Sequence, residues 1–173
     1  SPNTGWACEY DGALKYTSNG GNTWIYQALN LGTTYSGYFI SANTGWISGA
    51  DGLIIHTTDG GVNWSPQNSG TSNSLNSIFF TSPSIGYAAG FSGTIVKTTN
   101  GGNTWTVLQS GTTESFRDLY FTSSNSGWAT GQNGKIIKTT NGGATWISQT
   151  SGTNNRFYMK YSGKLNLNLP VRK

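Results

Sequence analysis

The sequence predicts an all-β protein made of four small antiparallel sheets, one for each copy of a repeat of about 40 residues. Three observations predict this fold class. A glycine-glycine turn ending in tryptophan recurs four times, and a Gly-Trp or Gly-Tyr pair recurs with the same period. Short runs of hydrophobic and β-branched residues, separated by turn residues, fill the intervals. No stretch shows the periodicity of a helix.

The two recurring columns define the repeat. The tryptophans that end the Asn/Asp-Gly-Gly turns follow one another at intervals of 40, 41 and 41 residues, and they are Trp24, Trp64, Trp105 and Trp146. The pairs of the second column keep the same spacing, and they are Gly5-Trp6, Gly45-Trp46, Gly86-Tyr87 and Gly127-Trp128. Two columns that share one period indicate a structural unit rather than chance similarity.

Each copy of the repeat reads as four strands, which we call A to D. In the third copy we expect them at residues 77–81, 87–90, 94–98 and 104–109. Strands B and C are joined by Gly-x-x-Gly, a tight hairpin that needs residues tolerant of positive φ. This turn is not a nucleotide-binding loop, because no helix follows it on which a phosphate could lie.

A four-stranded antiparallel sheet repeated every 40 residues or so is typical of a β-propeller blade. We place four repeats at residues 1–31, 32–69, 70–110 and 111–152 of a domain spanning 1–161. A single further strand at 153–161 could complete the first sheet and close a ring, which would remove exposed sheet edges. The alternative is an open unit that belongs to a larger assembly. A basic tail occupies residues 162–173.

Composition narrows the function classes. Only 9% of the residues are charged, and a weakly charged polar surface of this kind favours an extracellular or periplasmic protein. Half of the ten cations lie in the last 18 residues, so the repeats are nearly neutral and we expect no nucleic-acid partner. The single cysteine, Cys8, excludes a disulfide within the chain. No apolar run approaches the ~18 residues of a membrane span, so we expect no membrane insertion.

Two known patterns resemble these repeats. The box Thr-x-Asn/Asp-x-Gly-x-Thr/Asn-Trp resembles the Asp-box of BNR-like propellers such as sialidases. The longer pattern over residues 110–146 resembles the Ycf48-type repeat, whose family includes photosystem II assembly factors of the thylakoid lumen and many secreted bacterial proteins. The resemblance implies a propeller fold and a role in protein binding or complex assembly. Propellers of the assembly-factor type have seven blades, and this chain is too short for seven.

The box residues themselves have a structural interpretation. A short polar side chain at the third position can bond to the backbone N–H groups of its own turn, and the tryptophan can pack against the sheet. The structural set is Asn19, Trp24, Asp59, Trp64, Asn100, Trp105, Asn141 and Trp146. Three of the four boxes carry neutral asparagine, whereas a calcium site requires several carboxylates. We therefore expect no metal and no cofactor.

Variable turn residues on a constant scaffold are the best candidates for binding a partner. In an up-and-down sheet, the B–C turns and the D–A loops lie at the same end, and this end carries the variable residues. The candidates are Tyr10, Asp11, Tyr35, Asp51, Phe91, Arg117 and Gln132. Arg117 begins an inner strand and could bind a carboxylate or sulfate, or pair with Glu114 or Asp118. The alternative is that all of these are ordinary polar turn residues.

Catalysis is disfavoured because the residues that each candidate reaction requires are missing or have a simpler explanation. A sialidase needs a cluster of arginines, and the chain has three, two of them near its end. A glycoside hydrolase could use Asp11 and Asp51 in adjacent repeats, but aspartate is also a preferred turn residue. The sole histidine, His56, is expected on a solvent-facing strand position.

These considerations leave three non-catalytic hypotheses. The first, which we favour, is a binding or scaffold propeller that recognises a protein partner. The second is a glycan-binding, lectin-like module, in which tyrosine and phenylalanine at the turns stack on sugars. The third is a self-assembling structural or surface protein, in which repeat ends pair between chains. A glycoside hydrolase is the least favoured possibility.

Overall fold

The computed structural model of the chain describes residues 3–8, 12–29 and 31–157. Along these residues the chain forms four successive antiparallel sheets, each built from strands that are neighbours in sequence. Sheet 1 has three strands, which are β1 (Gly5–Cys8), β2 (Ala13–Thr17) and β3 (Ile25–Ala28). Strands β2 and β3 are joined by the Asn-Gly-Gly turn, as the hairpin signals predict.

The other three sheets have four strands each. Sheet 2 contains β4 (Thr34–Phe39), β5 (Gly45–Gly49), β6 (Ile54–Thr57) and β7 (Ser65–Gln67). Sheet 3 contains β8 (Leu75–Phe80), β9 (Gly86–Gly90), β10 (Ile95–Thr98) and β11 (Thr106–Leu108). Sheet 4 contains β12 (Phe116–Phe121), β13 (Gly127–Gly131), β14 (Ile136–Thr139) and β15 (Ile147–Gln149). Short 3-10 turns at Ala50–Gly52 and Phe91–Gly93 join the second and third strands of sheets 2 and 3.

The structure confirms the predicted all-β class and the four-stranded meander in each complete repeat. The structure does not agree with the prediction of a closing strand at residues 153–161. Its described part, residues 153–157, is not a strand, although the backbone N–H of Phe157 donates to the carbonyl oxygen of Gly131 at 3.1 Å. Residues 158–161 and the tail at 162–173 lie outside the described residues.

The hydrophobic core lies between consecutive sheets. One cluster centres on Trp46 and Phe80 between sheets 2 and 3. A second centres on Tyr87 and Phe121 between sheets 3 and 4. A smaller one around Leu14 joins sheets 1 and 2. Because each sheet packs on its sequence neighbour, stability is close to a sum of nearest-neighbour contacts.

Stacked aromatic pairs cross each of these junctions. The ring of Trp46 stacks on Phe80 of the next sheet with centroids 3.7 Å apart, and Tyr87 stacks on Phe121 at 3.9 Å. Trp6 and Phe39 make the same pair between sheets 1 and 2 at 3.7 Å. The aromatic residue of the Gly-Trp column therefore points into the following sheet, where stacking adds to the stability gained by burial.

The glycine of the same column makes room for this packing. A Cβ atom on Gly86 would lie 2.5 Å from two carbons of the Phe80 ring, which is well inside van der Waals contact. Gly127 faces Phe121 in the same way, with 2.5 Å to the nearest ring carbon. The glycine thus leaves room for a phenylalanine ring of its own sheet, and the aromatic residue that follows it stacks on a ring of the next sheet.

Turns and loops collect at the two ends of each sheet. At one end, which we call the box face, the C–D turns bond to the A–B turns: the N–H of Gly101 donates to the oxygen of Ser84 at 2.9 Å. At the other end, the loop face, the B–C turns bond to the chain entering strand A. There the N–H of Phe91 donates to the oxygen of Ser74 at 2.9 Å. Those variable residues that the structure describes lie on the loop face.

Candidate functional site

A β-bulge at the start of the first strand shapes the loop face. In β12, Phe116 and Asp118 pair with successive residues of β13, and Arg117 is the extra residue between them. Tyr35 in β4 and Asn76 in β8 occupy the same bulge position. A bulge redirects a side chain relative to the regular pleat, which is why bulges are common beside binding sites.

The bulged side chains reach neighbouring sheets. The side-chain amide of Asn76 in sheet 3 donates to the carbonyl oxygen of Phe116 in sheet 4 at 2.6 Å. Arg117 points the opposite way along the array: its Cζ lies 5.5 Å from the ring centroid of Phe91 in sheet 3. The bulge thus brings a cation of one sheet onto an aromatic ring of the previous one.

The Arg117–Phe91 pair has the properties of an anchor site. Phe91 is 40% exposed, although it is a large apolar residue. The Nε of Arg117 is buried and has no hydrogen-bond partner among the described residues. A guanidinium over a ring face gains a cation–π attraction of about 0.5–1 kcal/mol at exposed sites. This contact fixes the orientation of the arginine on the loop face.

The acidic residues near Arg117 have other partners. Glu114 accepts a hydrogen bond from the side-chain amide of Asn133 at 2.9 Å. Asp118 accepts one from the hydroxyl of Ser77 at 2.8 Å and one from the backbone N–H of Leu119 at 2.9 Å. The arginine's contact in the structure is the ring of Phe91, whereas the sequence alone also suggested these two carboxylates.

The turn that carries Phe91 is rigid. Ser92 adopts left-handed backbone geometry at φ 54°, and Gly93 follows at φ 69°. A Cβ atom on Gly93 would overlap the carbonyl oxygen of Thr112, so no other residue fits there. The N–H of Ser92 donates to the hydroxyl of Ser115 at 3.3 Å, which ties the turn to sheet 4. Phe91 is therefore presented on a fixed support.

The remaining candidates are dispersed. Tyr35 lies at the bulge of β4 beside a cavity of about 320 Å³ that Trp6 and Cys8 also line. Asp51 is exposed at the B–C turn of sheet 2, one junction away from Phe91. Gln132 is half-buried at the corresponding turn of sheet 4. Tyr10 and Asp11 lie outside the described residues.

Sequence reasoning missed the role of Asn76. It occupies the same column as Tyr35 and Arg117, and this column is variable where the flanking residues repeat. A comparison of the strand A columns could have identified it, because a position that changes from aromatic to amide to cation is not a core position. What the sequence could not reveal is the bulge that turns this position toward the neighbouring sheet.

The box residues build their own turns. In the third box the side-chain oxygen of Asn100 accepts from the N–H of Thr104 at 2.9 Å, and the hydroxyl of Thr98 accepts from the N–H of Gly102 at 2.8 Å. The same pair of bonds recurs in the boxes of Asn19, Asp59 and Asn141. The box tryptophans differ in depth: Trp105 is buried, Trp64 and Trp146 are half-buried, and Trp24 is 46% exposed.

Asp59 is the one charged member of the box column. Its carboxylate accepts from the backbone N–H of Asn63 at 2.9 Å and from the side-chain amide of the same residue at 2.8 Å. These bonds, together with that from the Thr57 hydroxyl, lower the pKa of Asp59 to about 2, because they stabilise the ionised form. The charge is therefore present throughout the physiological range.

The first strands of sheets 2 to 4 line a cleft of about 580 Å³. Three aromatic side chains at equivalent positions, Tyr38, Phe79 and Tyr120, follow one another along it with ring centroids 4.9 Å and 5.3 Å apart. Hydrogen bonds between strands of adjacent sheets join the wall: the N–H of Ile78 donates to the hydroxyl of Ser36 at 3.3 Å. The inner strands thus form one continuous concave wall.

Burial limits the reactivity of two side chains of types common in catalysis, His56 and Cys8. His56 is half-buried and stacks on Trp46 with centroids 4.6 Å apart, so the expectation of a solvent-facing position is wrong. Burial lowers the pKa of His56. Burial also raises the pKa of the Cys8 thiol to about 11, so the reactive thiolate is scarce at neutral pH.

The described part of the chain contains neither a metal-ligand cluster nor a membrane-spanning helix. Among residues 3–8, 12–29 and 31–157, His, Cys, Asp and Glu side chains form no group of three or more that could hold a metal ion. No helix within the same residues has the length and apolar character needed to cross a membrane.

Stacked four-stranded antiparallel sheets, with their first strands side by side along one cleft, define a set of β-propeller blades. Within that class the chain belongs to the family described as photosynthesis system II assembly factor YCF48. The model of this family matches residues 1–69 and 66–147. The resemblance to the Ycf48-like, BNR-type propellers is confirmed.

Solved structures agree with this assignment. YCF48 bound to D1 peptide is 25% identical, with a TM-score of 0.73 over 90% of this chain and 52% of that protein. YCF48 from Cyanidioschyzon merolae is 18% identical, with a TM-score of 0.72 over 91% of this chain and 60% of that one. The chain thus spans about half the length of these relatives. No curated protein matches it significantly.

A second group of solved structures shares the fold. The GH74 xyloglucanase from Xanthomonas campestris is 12% identical, with a TM-score of 0.67 over 84% of this chain and 28% of that enzyme. At this identity the likeness concerns the architecture of the blades, and it does not extend to the chemistry of the enzyme.

The predicted location is wrong. The low charge favoured an extracellular or periplasmic protein, but the chain belongs to the YCF48 family, whose members are photosystem II assembly factors on the lumenal side of the thylakoid rather than extracellular proteins. A weakly charged surface was therefore a poor guide, since net charge bears on solubility and association rather than on compartment.

Proposed function

We propose that this chain is a non-enzymatic part of a propeller-type assembly factor and binds an extended segment of a partner protein on its loop face. The observation that carries the proposal is the Arg117–Phe91 pair, in which the guanidinium of one sheet lies over an exposed aromatic ring of the previous sheet. Family membership and the structure of YCF48 bound to D1 peptide support a protein partner.

The chemistry of the pair defines the ligand. An arginine forms charge-assisted hydrogen bonds with carboxylates, and the exposed Phe91 ring offers an apolar surface beside it. Arginine and aromatic residues are also those that contribute most to binding energy at protein interfaces. We therefore expect the bound segment to place a carboxylate, either a side chain or a chain terminus, next to an apolar side chain.

A catalytic role has less support. Of the carboxylates near the site, Glu114 bonds to Asn133 and Asp118 bonds to Ser77. Acid–base catalysis requires carboxyl groups that face a substrate with suitably adjusted pKa values. The family to which the chain belongs is one of assembly factors. We infer that the loop face binds rather than transforms its ligand.

Binding of a D1 peptide tests the proposal. The labelled peptide is titrated with the 173-residue chain and binding is followed by fluorescence polarisation, with a scrambled peptide as reference. The sister repeats supply matched substitutions: Arg117→Asn copies Asn76, and Phe91→Ala copies Ala50. Because each replacement already occurs at the equivalent position of another blade, folding should be retained.

We expect each substitution to weaken binding by about tenfold or more, since truncation of a hot-spot residue costs about 2 kcal/mol or more. Ile147→Thr, which copies the equivalent Thr106 on the outer strand of the neighbouring sheet, serves as a control that leaves affinity unchanged. Equal affinity of the original chain for the D1 and the scrambled peptide would contradict a specific protein-binding role. Equal affinity of all variants would exclude the Arg117–Phe91 site.

A further inference from the structure

Large apolar side chains are concentrated on the box face at the junction of sheets 1 and 2. There Ile25 is 60% exposed, Tyr26 is 57% exposed and Val62 is 73% exposed. With Tyr16 and Asp59 these residues line a groove of about 590 Å³. Contiguous exposed apolar patches of this kind commonly mark sites of interaction with a partner.

The sister repeats show that this cluster is not a requirement of the fold. At the next junction the residues equivalent to Ile25, Tyr26 and Val62 are Ser65, Pro66 and Asn103. At the last described junction they are Thr106, Val107 and Ala144. All three junctions have the same strand and turn geometry, so the apolar residues of the first junction are not needed to build it.

The same junction also has the only acidic box. Asp59 replaces the asparagine of the other three boxes, and its neighbour Asn63 replaces their threonine. The carboxylate lies at the rim of the groove and stays exposed, although it accepts hydrogen bonds from the turn. An ionised carboxylate has about four acceptor positions, so it can still bind a cation from outside.

The floor of the groove is fixed. The side-chain amide of Gln27 on β3 donates to the carbonyl oxygen of Gly61 at 2.6 Å, which joins the two sheets beneath the apolar side chains. The indole N–H of Trp6 donates to the oxygen of Gly60 at 3.4 Å. The groove is therefore preformed, so that binding a ligand costs little free energy for ordering the groove.

We propose that this groove is a second docking site, which binds an extended segment of a partner protein in which a lysine or arginine lies beside an aliphatic side chain. The cation pairs with Asp59 and the aliphatic side chain packs between Tyr26 and Val62. The site is independent of the loop-face site, because the two lie at opposite ends of the strands and prefer ligands of opposite charge.

Two synthetic peptides provide the probe. Fluorescein-labelled Ser-Lys-Leu-Ser-Leu-Lys-Ser and its counterpart with glutamate in place of lysine are titrated with the full chain at low and at high salt. The double variant Asp59→Asn/Asn63→Thr converts the acidic box into the sequence of its sisters. The double variant Tyr26→Ser/Val62→Asn introduces residues found at Ser148 and Asn103.

We expect the lysine peptide to bind and the glutamate peptide to bind more weakly. The box variant should weaken the lysine peptide about 2–5-fold and abolish its dependence on salt, since exposed ion pairs contribute little and are screened. The apolar variant should weaken it roughly tenfold. The control Asn100→Asp/Thr104→Asn creates an acidic box at a junction without the apolar groove, and it should add no binding.

Three results would overturn the proposal. The first is equal binding of the two peptides by the original chain. The second is unchanged affinity in both double variants. The third is a dimer of the original chain that the Tyr26→Ser/Val62→Asn variant abolishes, which would make a second copy the occupant. D1 peptide binding is unaffected by any of these outcomes, so the two sites are tested separately.

Discussion

The hydroxyl of Tyr87 in sheet 3 donates a hydrogen bond to the carbonyl oxygen of Gly142 in sheet 4, 3.1 Å away. Trp46 makes the equivalent bond to Gly101 at 3.1 Å with its indole N–H. The aromatic residue of one blade thus bonds to the glycine turn of the next. This explains why the two sequence columns share one period: they are partners across every described junction.

Removing this bond should loosen the last junction. Tyr87→Phe keeps the stacking on Phe121 but leaves the oxygen of Gly142 with Lys97 as its remaining side-chain donor. We expect a loss of about 1 kcal/mol in the free energy of unfolding, measured by urea denaturation. Tyr87→Trp, which copies the sister blades, should retain most of the stability. Equal stability of all three chains would show that the bond contributes nothing.

We also expect the burial of Tyr87 to make the stability of the fold depend on pH in the alkaline range. Burial raises the pKa of Tyr87 from 10.0 to about 12, so the folded state favours the neutral phenol. A raised pKa gives stability that is complete below pH 10 and is lost as the pH rises toward 12. The stability difference between the original chain and Tyr87→Phe should therefore shrink over this interval in urea titrations. A constant difference would mean that the phenol is not buried.

The Gly-Trp column offers a steric prediction with an internal control. Gly86→Ala places a methyl group 2.5 Å from the ring of Phe80 and should cost about 1–3 kcal/mol through overpacking. Gly5→Ala, in the same column of sheet 1, meets its nearest atom, Thr17 Cγ2, at an ordinary 3.4 Å. Thermal unfolding of both variants should show a clear loss only for Gly86→Ala, and similar losses would contradict the proposed packing.

The acidic box predicts a response at low pH. The pKa of Asp59 is lowered to about 2 from 3.8, so its hydrogen bonds stabilise the fold above pH 3.8 and are lost as the pH falls toward 2. The stability advantage of the original chain over Asp59→Asn/Asn63→Thr should decrease over that range in urea titrations. An advantage that is independent of pH would show that the carboxylate does not hold the turn.

Much of the architecture could be predicted because the same pattern of strand and turn residues recurs in every repeat. The strands expected at residues 77–81 and 94–98 are observed as Leu75–Phe80 and Ile95–Thr98. Alternation and turn residues are local signals, so they locate strands to within a residue or two. The order of the sheets follows from the same signals, since consecutive hairpins pair with their neighbours.

The candidate site was predictable only in part, because it depends on contacts between blades. Variability at the turns drew attention to Phe91 and Arg117, but the 5.5 Å contact between them follows from a bulge and from the stacking of two sheets. The half-buried position of His56 has a different origin, since the ring that covers it belongs to Trp46, its partner on the adjacent strand of the same sheet. Features set by packing between repeats do not appear in the pattern of a single repeat.

The location of bound D1 peptide tests the account most directly. Backbone amide shifts of the isotope-labelled chain can be followed by NMR as peptide is added, which maps the contact surface without any substitution. We predict that the shifts concentrate on the loop face at Phe91, Ser92, Arg117 and Asn133, while the box turns remain unchanged. Shifts confined to the box face, or none at saturating peptide, would contradict the proposed binding site.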